Sequence, residues 1–341
     1  MVCEDTDHGK EDALYICANP IFKFPMNQRN LFLFGFILIK FILQYLLIDI
    51  GYDLHRDEYL HLDQAHHLAW GYISVPPVTS WFSYLIYLLG NTEFWVKFFP
   101  ALFGTLTIML VWKAIERLGG NLYAQSLAAI CLIFSSLARL NILFQPNSFD
   151  ILAWTFVLFA MLCFIQTGKN KWLYWLGIGI GFGFLNKYNI DFQVLGLLPA
   201  LLLTSERKIF KNPHFYTAFA LAFLIALPNL IWQWQNDFPV LWHMRMLSQN
   251  QLVNVNRVNF LNDQFFFFFG SSFILLLALI SYFTYPPFES IRFSFGRHFS
   301  LWRSSLTSKP KAITPSASTL FTLHLVRFIF LTCCTKAGVN I

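Results

Sequence analysis

Long apolar runs recur along the chain near 31–50, 94–115, 121–140, 149–166, 172–188, 190–205, 214–233 and 265–284. Most approach the roughly 20 residues that a helix needs to cross the hydrocarbon core of a bilayer. They are continuous rather than alternating, so they predict helices and not the strands of about ten residues that build a transmembrane β-barrel. The fold class is therefore all-α, a polytopic transmembrane helical bundle. Between 172 and 205 the polar group Asn186, Lys187, Asn189 and Asp191 predicts a tight turn between two short spans. The run GIGIGFGF at 177–184 lies inside a span and predicts a close-packing face. No Walker, Rossmann or GxSxG pattern accompanies it.

Basic residues orient the bundle. With a cytoplasmic N-terminus, Lys10, Lys23, Arg29, Lys113, Arg117, Lys169, Lys171, Arg207, Lys208 and Lys211 all fall inside, as the positive-inside rule requires. That parity holds only if Val78–Leu89 is a partial helix in the interface, and Pro76-Pro77 suits its start. The topology then puts 51–93, 141–148, 186–189 and 234–264 on the non-cytoplasmic side. Residues 1–30 read as a cytoplasmic N-terminal segment and 31–284 as the transmembrane domain. The first thirty residues are polar and mixed in charge, which predicts an uncleaved first span rather than a cleavable signal peptide. Residues 285–341 form an atypical tail: Pro286-Pro287, a Ser/Thr/Lys/Arg stretch, then 321–334 broken by His324 and Arg327.

Composition agrees with a membrane protein. Of 341 residues, 56% are hydrophobic and 12% charged, and a soluble domain usually carries about twice that charged fraction. The formal charge of +6 is scattered between apolar runs, which argues against a nucleic-acid partner and for membrane lipids as the surroundings. Cys131 and Cys163 fall inside spans, Cys3 and Cys17 precede the first, and Cys333-Cys334 are adjacent near the end. This spacing suggests free thiols and neither a disulfide framework nor a metal motif.

In so apolar a chain the stretch Tyr52–Trp81 stands apart, with Asp53, Arg56, Asp57, Glu58 and Asp63 among His55, His61, His66 and His67. A helix over Asp57–Trp70 would put Glu58, Leu62, Ala65 and Ala69 on one stripe and Asp57, His61, Gln64 and Leu68 on another. Its acidic N-terminal end is a candidate general base, or else a solvated interfacial helix with ordinary acids. Asp150 begins another span after Pro146-Asn147-Ser148. An acid there is costly enough to suggest function, with N-capping by Asn147 or Ser148 as the plain alternative. Arg139 and Lys187 end apolar helices and either snorkel to lipid headgroups or, with Arg56, hold a phosphate. The set His55, Asp57, Glu58 and His61 has spacing that a divalent metal accepts. It lacks a defined metal signature, so no cofactor is assigned and a metal is optional.

With these residues placed, the chain resembles the polyprenyl- and dolichyl-phosphate-sugar-dependent glycosyltransferases of the GT-C superfamily. It is similar to bacterial members related to protein O-mannosyltransferases and to the lipid A aminoarabinose transferase. The resemblance runs over about residues 31–250 in HRDEYLHLDQAHHLAWGYISVPPVTSW, KFFPALFGTLTIMLVWKAIERLGG, QPNSFDILAWTFVLF, GIGIGFGFLNKYNI and ALPNLIWQWQNDFPVLWHM. It implies a GT-C bundle with an interfacial helical first external loop. It also implies sugar transfer from a polyprenyl-phosphate donor to a lipid, glycan or protein acceptor. On this comparison the family's acidic pair falls on Asp57-Glu58, with Asp57 the preferred base, and its later acid on Asp150. The basic residue of its L-x-K-Y element falls on Lys187, with Arg139 and Arg56 as further phosphate ligands. The tail after 285 departs from relatives, which continue with further spans or an external domain. The chain has no N-x-Ser/Thr sequon, and with the bacterial-type resemblance this predicts a bacterial inner membrane with the site facing the periplasm. A transporter or flippase for a lipid-linked sugar is the alternative reading.

Overall fold

The structure is a computed structural model that describes residues 26–48, 53–202 and 205–250. The expected span 265–284, the tail, the N-terminal 25 residues, the end of the 234–264 loop, and Cys3, Cys17, Cys333 and Cys334 lie outside the described residues.

The described chain is helical in the order α1 Met26–Leu46, α2 Arg56–Asp63, α3 Val78–Leu88, α4 Glu93–Arg117, α5 Leu122–Ile133 and α6 Leu137–Leu140. It continues with α7 Pro146–Thr167, α8 Lys171–Asn186, α9 Ile190–Leu202, α10 Pro213–Gln235 and α11 Pro239–Asn250. Among the described residues four helices, within α1 and in α4, α7 and α10, are long and apolar enough to cross a membrane. The protein is an integral membrane protein, and its fully apolar helix surfaces, such as Phe223 and Leu224 on α10, face outward as lipid requires.

Local signals set the ends. Asn121 caps α5 by accepting from the Ala124 N–H (2.9 Å). Asn212 does the same for α10 through His214 (3.0 Å), with Pro213 in the first turn. Gly168 closes α7 at φ +62°, a left-handed conformation that favours glycine.

Two expectations need correction. The run 121–140 is not one span: α5 stops at Ile133 and only the short α6 follows. Ser135 is the cause, because its hydroxyl donates to Leu132 O (2.8 Å) and accepts from Leu137 N–H (3.3 Å), replacing helical backbone bonds. Nor is Asp57–Trp70 a single helix. α2 ends at Asp63 and a 3₁₀ turn, Gln64–His66, completes it. Its buried side carries Glu58, His61, Gln64 and Ala65, so His61 and Gln64 face the bundle together with Glu58 and not on a separate stripe.

The glycines of α8 serve two faces. A Cβ on Gly177 would collide with the Ala218 carbonyl of α10, and one on Gly181 would lie 2.8 Å from Ile225. Half a turn away, Gly179 meets Phe156 of α7 at 2.8 Å and Gly183 meets Ile190 at 3.0 Å. α8 is thereby wedged between α7 and α10, around a core that includes Trp154, Val157, Leu173, Leu176 and Ala218. A second core joins α4 and α5 through Trp112, Ile115, Ala128 and Leu132. A third, aromatic core of Phe82, Phe99, Phe103, Phe144 and Phe149 sits beneath α2 and α3.

Candidate active site

The expected non-cytoplasmic loops meet at one end of the bundle. The opposite end gathers Arg29–Glu116 (4.0 Å), Gln166 on the Arg117 carbonyl (2.9 Å), and Asn212 on Asn170 (2.8 Å).

The acidic pair divides sharply. At the start of α2 the Asp57 N–H donates to His55 Nδ1 (3.2 Å), and the His55 N–H donates to Glu58 Oε2 (2.8 Å). This capping box directs Glu58 inward and Asp57 outward. Glu58 is fully buried, and Lys97 Nζ of α4 donates to both of its oxygens at 2.9 Å. The Phe144 N–H adds a 2.7 Å bond to Oε1. Every face of that carboxylate is engaged, so it pins α2 to α4 and to the start of α7. Asp57 keeps its side chain about a third exposed (37%), with Arg56 Nε on Oδ1 and Gln145 Nε2 on Oδ2, both at 3.2 Å.

From Asp57 a chain of amides leads to Lys187. Gln145 Oε1 accepts from Asn147 Nδ2 (3.1 Å), and Asn147 Oδ1 accepts from Lys187 Nζ (2.8 Å). α7 supplies the middle of this chain because Pro146 starts it without a side-chain cap on Gln145. The alternative of capping by Asn147 or Ser148 does not hold, since Asn147 turns to Lys187 and Ser148 Oγ donates to Leu140 O (2.9 Å).

Asp150 follows one turn later, 1% exposed, its Oδ2 accepting from Asn189 Nδ2 (2.8 Å). Lys187 ends α8 with an extended backbone, and burial pushes its ammonium below the usual lysine range while Asp150 pulls it back. The turn itself is braced. Asn186 Nδ2 donates to Pro146 O (2.9 Å), and Tyr188 lies between Asn229 (3.1 Å) and Gln233 (2.8 Å) of α10. Asn229 also donates to Trp70 O (2.6 Å), and Gly71 is packed so closely on the Trp232 ring that no Cβ fits there.

The predicted residues thus fall into two groups. Asp57, Asp150 and Lys187 converge, with Glu58 as their buried support. Arg56 is on the rim, 89% exposed, and pairs only with Asp57 among the described residues. Arg139 is exposed on α6, with no hydrogen bond or ion pair of its side chain among the described residues. Of the histidines, His55 is taken up in the cap, while His61 is buried with Nδ1 3.4 Å from Gln64 Oε1. Sequence reasoning missed Lys97, Gln145, Asn147 and Asn189. It also missed Lys40, buried in α1, which donates to Asn141 Oδ1 (3.2 Å) once that amide is oriented to satisfy both of its ends. The signals were present, since QPNS precedes Asp150 and Lys97 is a charge inside an apolar run.

The chain is similar to several known proteins. Residues 74–232 match the family model described as dolichyl-phosphate-mannose-protein mannosyltransferase. Lipid A galacturonosyltransferase RgtD of Rhizobium johnstonii is 26% identical over 229 residues, covering 62% of this chain and 48% of that protein. The crystal structure of ArnT from Cupriavidus metallidurans bound to undecaprenyl phosphate superposes with a TM-score of 0.67 at 15% identity, over 88% of this chain and 60% of that one. The apo form gives 0.68 at 14% identity, over 89% and 60%. The chain therefore spans about half the length of the curated relative (48%) and shares the ArnT fold over most of its own. The chain thus has the fold of ArnT and, over residues 74–232, is similar to the dolichyl-phosphate-mannose-protein mannosyltransferase family.

Proposed function

We propose that this protein transfers a sugar from a polyprenyl-phosphate donor to an acceptor on the non-cytoplasmic face of its membrane, with inversion. The observation that carries the reading is the hydrogen-bonded chain Asp57–Gln145–Asn147–Lys187, which joins a partly exposed carboxylate to a cation. Asp57 accepts the proton of the attacking hydroxyl or amine, and Glu58 cannot take that part because its oxygens are already engaged. The acceptor attacks the anomeric carbon as the bond from that carbon to the phosphate oxygen breaks. An ammonium has three N–H donors and Asn147 accepts from Lys187, which leaves donors for the departing phosphate. Fixed positive charge is worth most where negative charge develops. Asp150, opposite Lys187, holds that cation in place and orients the acceptor. Arg56 and Arg139 extend the positive rim. The domain that does this work is 31–284, and the acceptor is a lipid, a glycan or a protein. The bacterial relatives favour an inner membrane with the site facing the periplasm.

The test is transfer from a radiolabelled prenyl-phosphate sugar by purified protein in vesicles. Asp57→Asn should lose about 10²–10⁴-fold in rate, the usual contribution of a positioned base. Transfer at the wild-type rate in that variant overturns the assignment. Movement of lipid-linked sugar across the vesicle without any transfer would establish a transporter instead.

A further inference from the structure

Four buried polar atoms on the segments that start at Asp150 and Asn189 have no partner. Asp150 Oδ1, Trp154 Nε1, Asn189 Oδ1 and Gln193 Oε1 all lack hydrogen bonds, and their residues are 1%, 1%, 9% and 4% exposed. They occupy successive turns of two neighbouring segments, 150–154 on α7 and 189–193 entering α9. Amide rotation cannot satisfy them. Asn189 is fixed by its Nδ2 bond to Asp150 Oδ2 (2.8 Å) and Gln193 by its Nε2 bond to the Trp154 carbonyl (3.0 Å). The Trp154 indole faces the Asp150 carboxylate without meeting hydrogen-bond geometry.

Leaving such groups unmade costs about 1–3 kcal/mol each, so four of them on two segments joined by hydrogen bonds point to a ligand. Its chemistry is read from the donor set of three acceptor oxygens and one N–H donor. A bare cation would take the oxygens but leave the indole N–H unmet, and it would sit close to the Lys187 ammonium. A water takes the indole N–H on its own oxygen and gives its two protons to two of the acceptors, which is the valence a buried water normally fills.

We propose that a structural water is bound among Asp150, Trp154, Asn189 and Gln193, and that it holds the Asp150 carboxylate facing Lys187. Trp154 and Gln193 are then positioning residues for the phosphate-binding lysine. This role rests on the reading of Lys187 given above, whereas the water itself does not. Asp150 is the charged group that faces Lys187, and the remaining neighbours, Asn147 and Asn189, are neutral. Tyr188 turns its hydroxyl away to Asn229 and Gln233.

The test has two arms. A wild-type map that resolves ordered waters should show one within hydrogen-bond distance of Trp154 Nε1 and at least two of the oxygens. A direct Asp150–Trp154 bond closing the space overturns the proposal. So does a metal ion on the three oxygens, accompanied by specific thermal stabilisation on adding sodium or magnesium. In the second arm Gln193→Met keeps nearly the same shape and Trp154→Phe keeps a smaller aromatic ring, and each removes one partner. With the water lost, Asp150 is a weaker counter-charge, and Lys187 releases its proton at lower pH. The alkaline limb of the transfer rate should fall by about half a pH unit or more in both variants. An unmoved limb with the water present in the map overturns the positioning role, and a map without the water overturns the site. A wild-type protein without transfer would refute the functional reading while the map still decides the water.

Discussion

Lys97→Met tests how the acidic loop is held. It removes the cation from a carboxylate that is fully buried and bonded at 2.9 Å through both oxygens. Glu58 would keep the Phe144 and His55 N–H donors, but its charge would have no counter-ion. Breaking one partner of a buried pair costs about 3–5 kcal/mol, mostly from the charge left behind. For a chain of this size that is roughly 6–20 °C in unfolding midpoint, at about 2–4 °C per kcal/mol. The assay is thermal unfolding in a single detergent, in a cycle with Glu58→Gln and the double variant. Each single variant should show the large loss, and the double variant should recover part of it because neither charge is then stranded. Lys97→Met within about 1 kcal/mol of wild type would refute the idea that this pair anchors α2.

Other outcomes follow from the same structure. Burial pushes the His61 imidazole below its usual range, against the opposing pull of Gln64, Asp57 and Glu58. Its contribution to stability is therefore complete above the unfolded value of about 6.5 and is lost as pH falls toward the folded one. The unfolding midpoint of wild type should decline below that pH, and His61→Gln should flatten the decline. Gly177→Ala puts a methyl against the Ala218 carbonyl, a backbone atom with no rotamer to yield, and should cost about 1–3 kcal/mol in the same unfolding assay. Gly35→Ala on α1, where nothing lies within 4 Å, should be neutral or slightly stabilising. Equal behaviour of these two glycines would contradict the packing of α8.

The parts of this fold that were legible in the sequence are those set by local rules. Spans were found because a bilayer demands a fixed length of apolar residues, and the shared face of Asp57, Asp150 and Lys187 followed from charge parity between loops. The break at Ser135 was hidden inside an apolar run, since it depends on one hydroxyl competing with the backbone. The difference between Asp57 and Glu58 was equally invisible in the residues themselves. It is decided by Lys97, 39 residues away, and by the Phe144 N–H, 86 residues away. Likewise the amides that join the site, Gln145 and Asn147, read as loop residues until the end of α8 brings Lys187 against them.

The central claim is that Asp57 and Lys187 belong to one donor site with separate tasks. Its most direct measurement is the equilibrium binding of a polyprenyl phosphate to wild type, Lys187→Met and Asp57→Asn, alongside transfer rates. Losing a hydrogen bond to a charged group costs about 1.5–3 kcal/mol, so Lys187→Met should weaken binding about 10- to 100-fold. Asp57→Asn should bind like wild type and fail in transfer. Wild-type affinity in Lys187→Met, or binding lost in Asp57→Asn with transfer intact in Lys187→Met, would contradict the account.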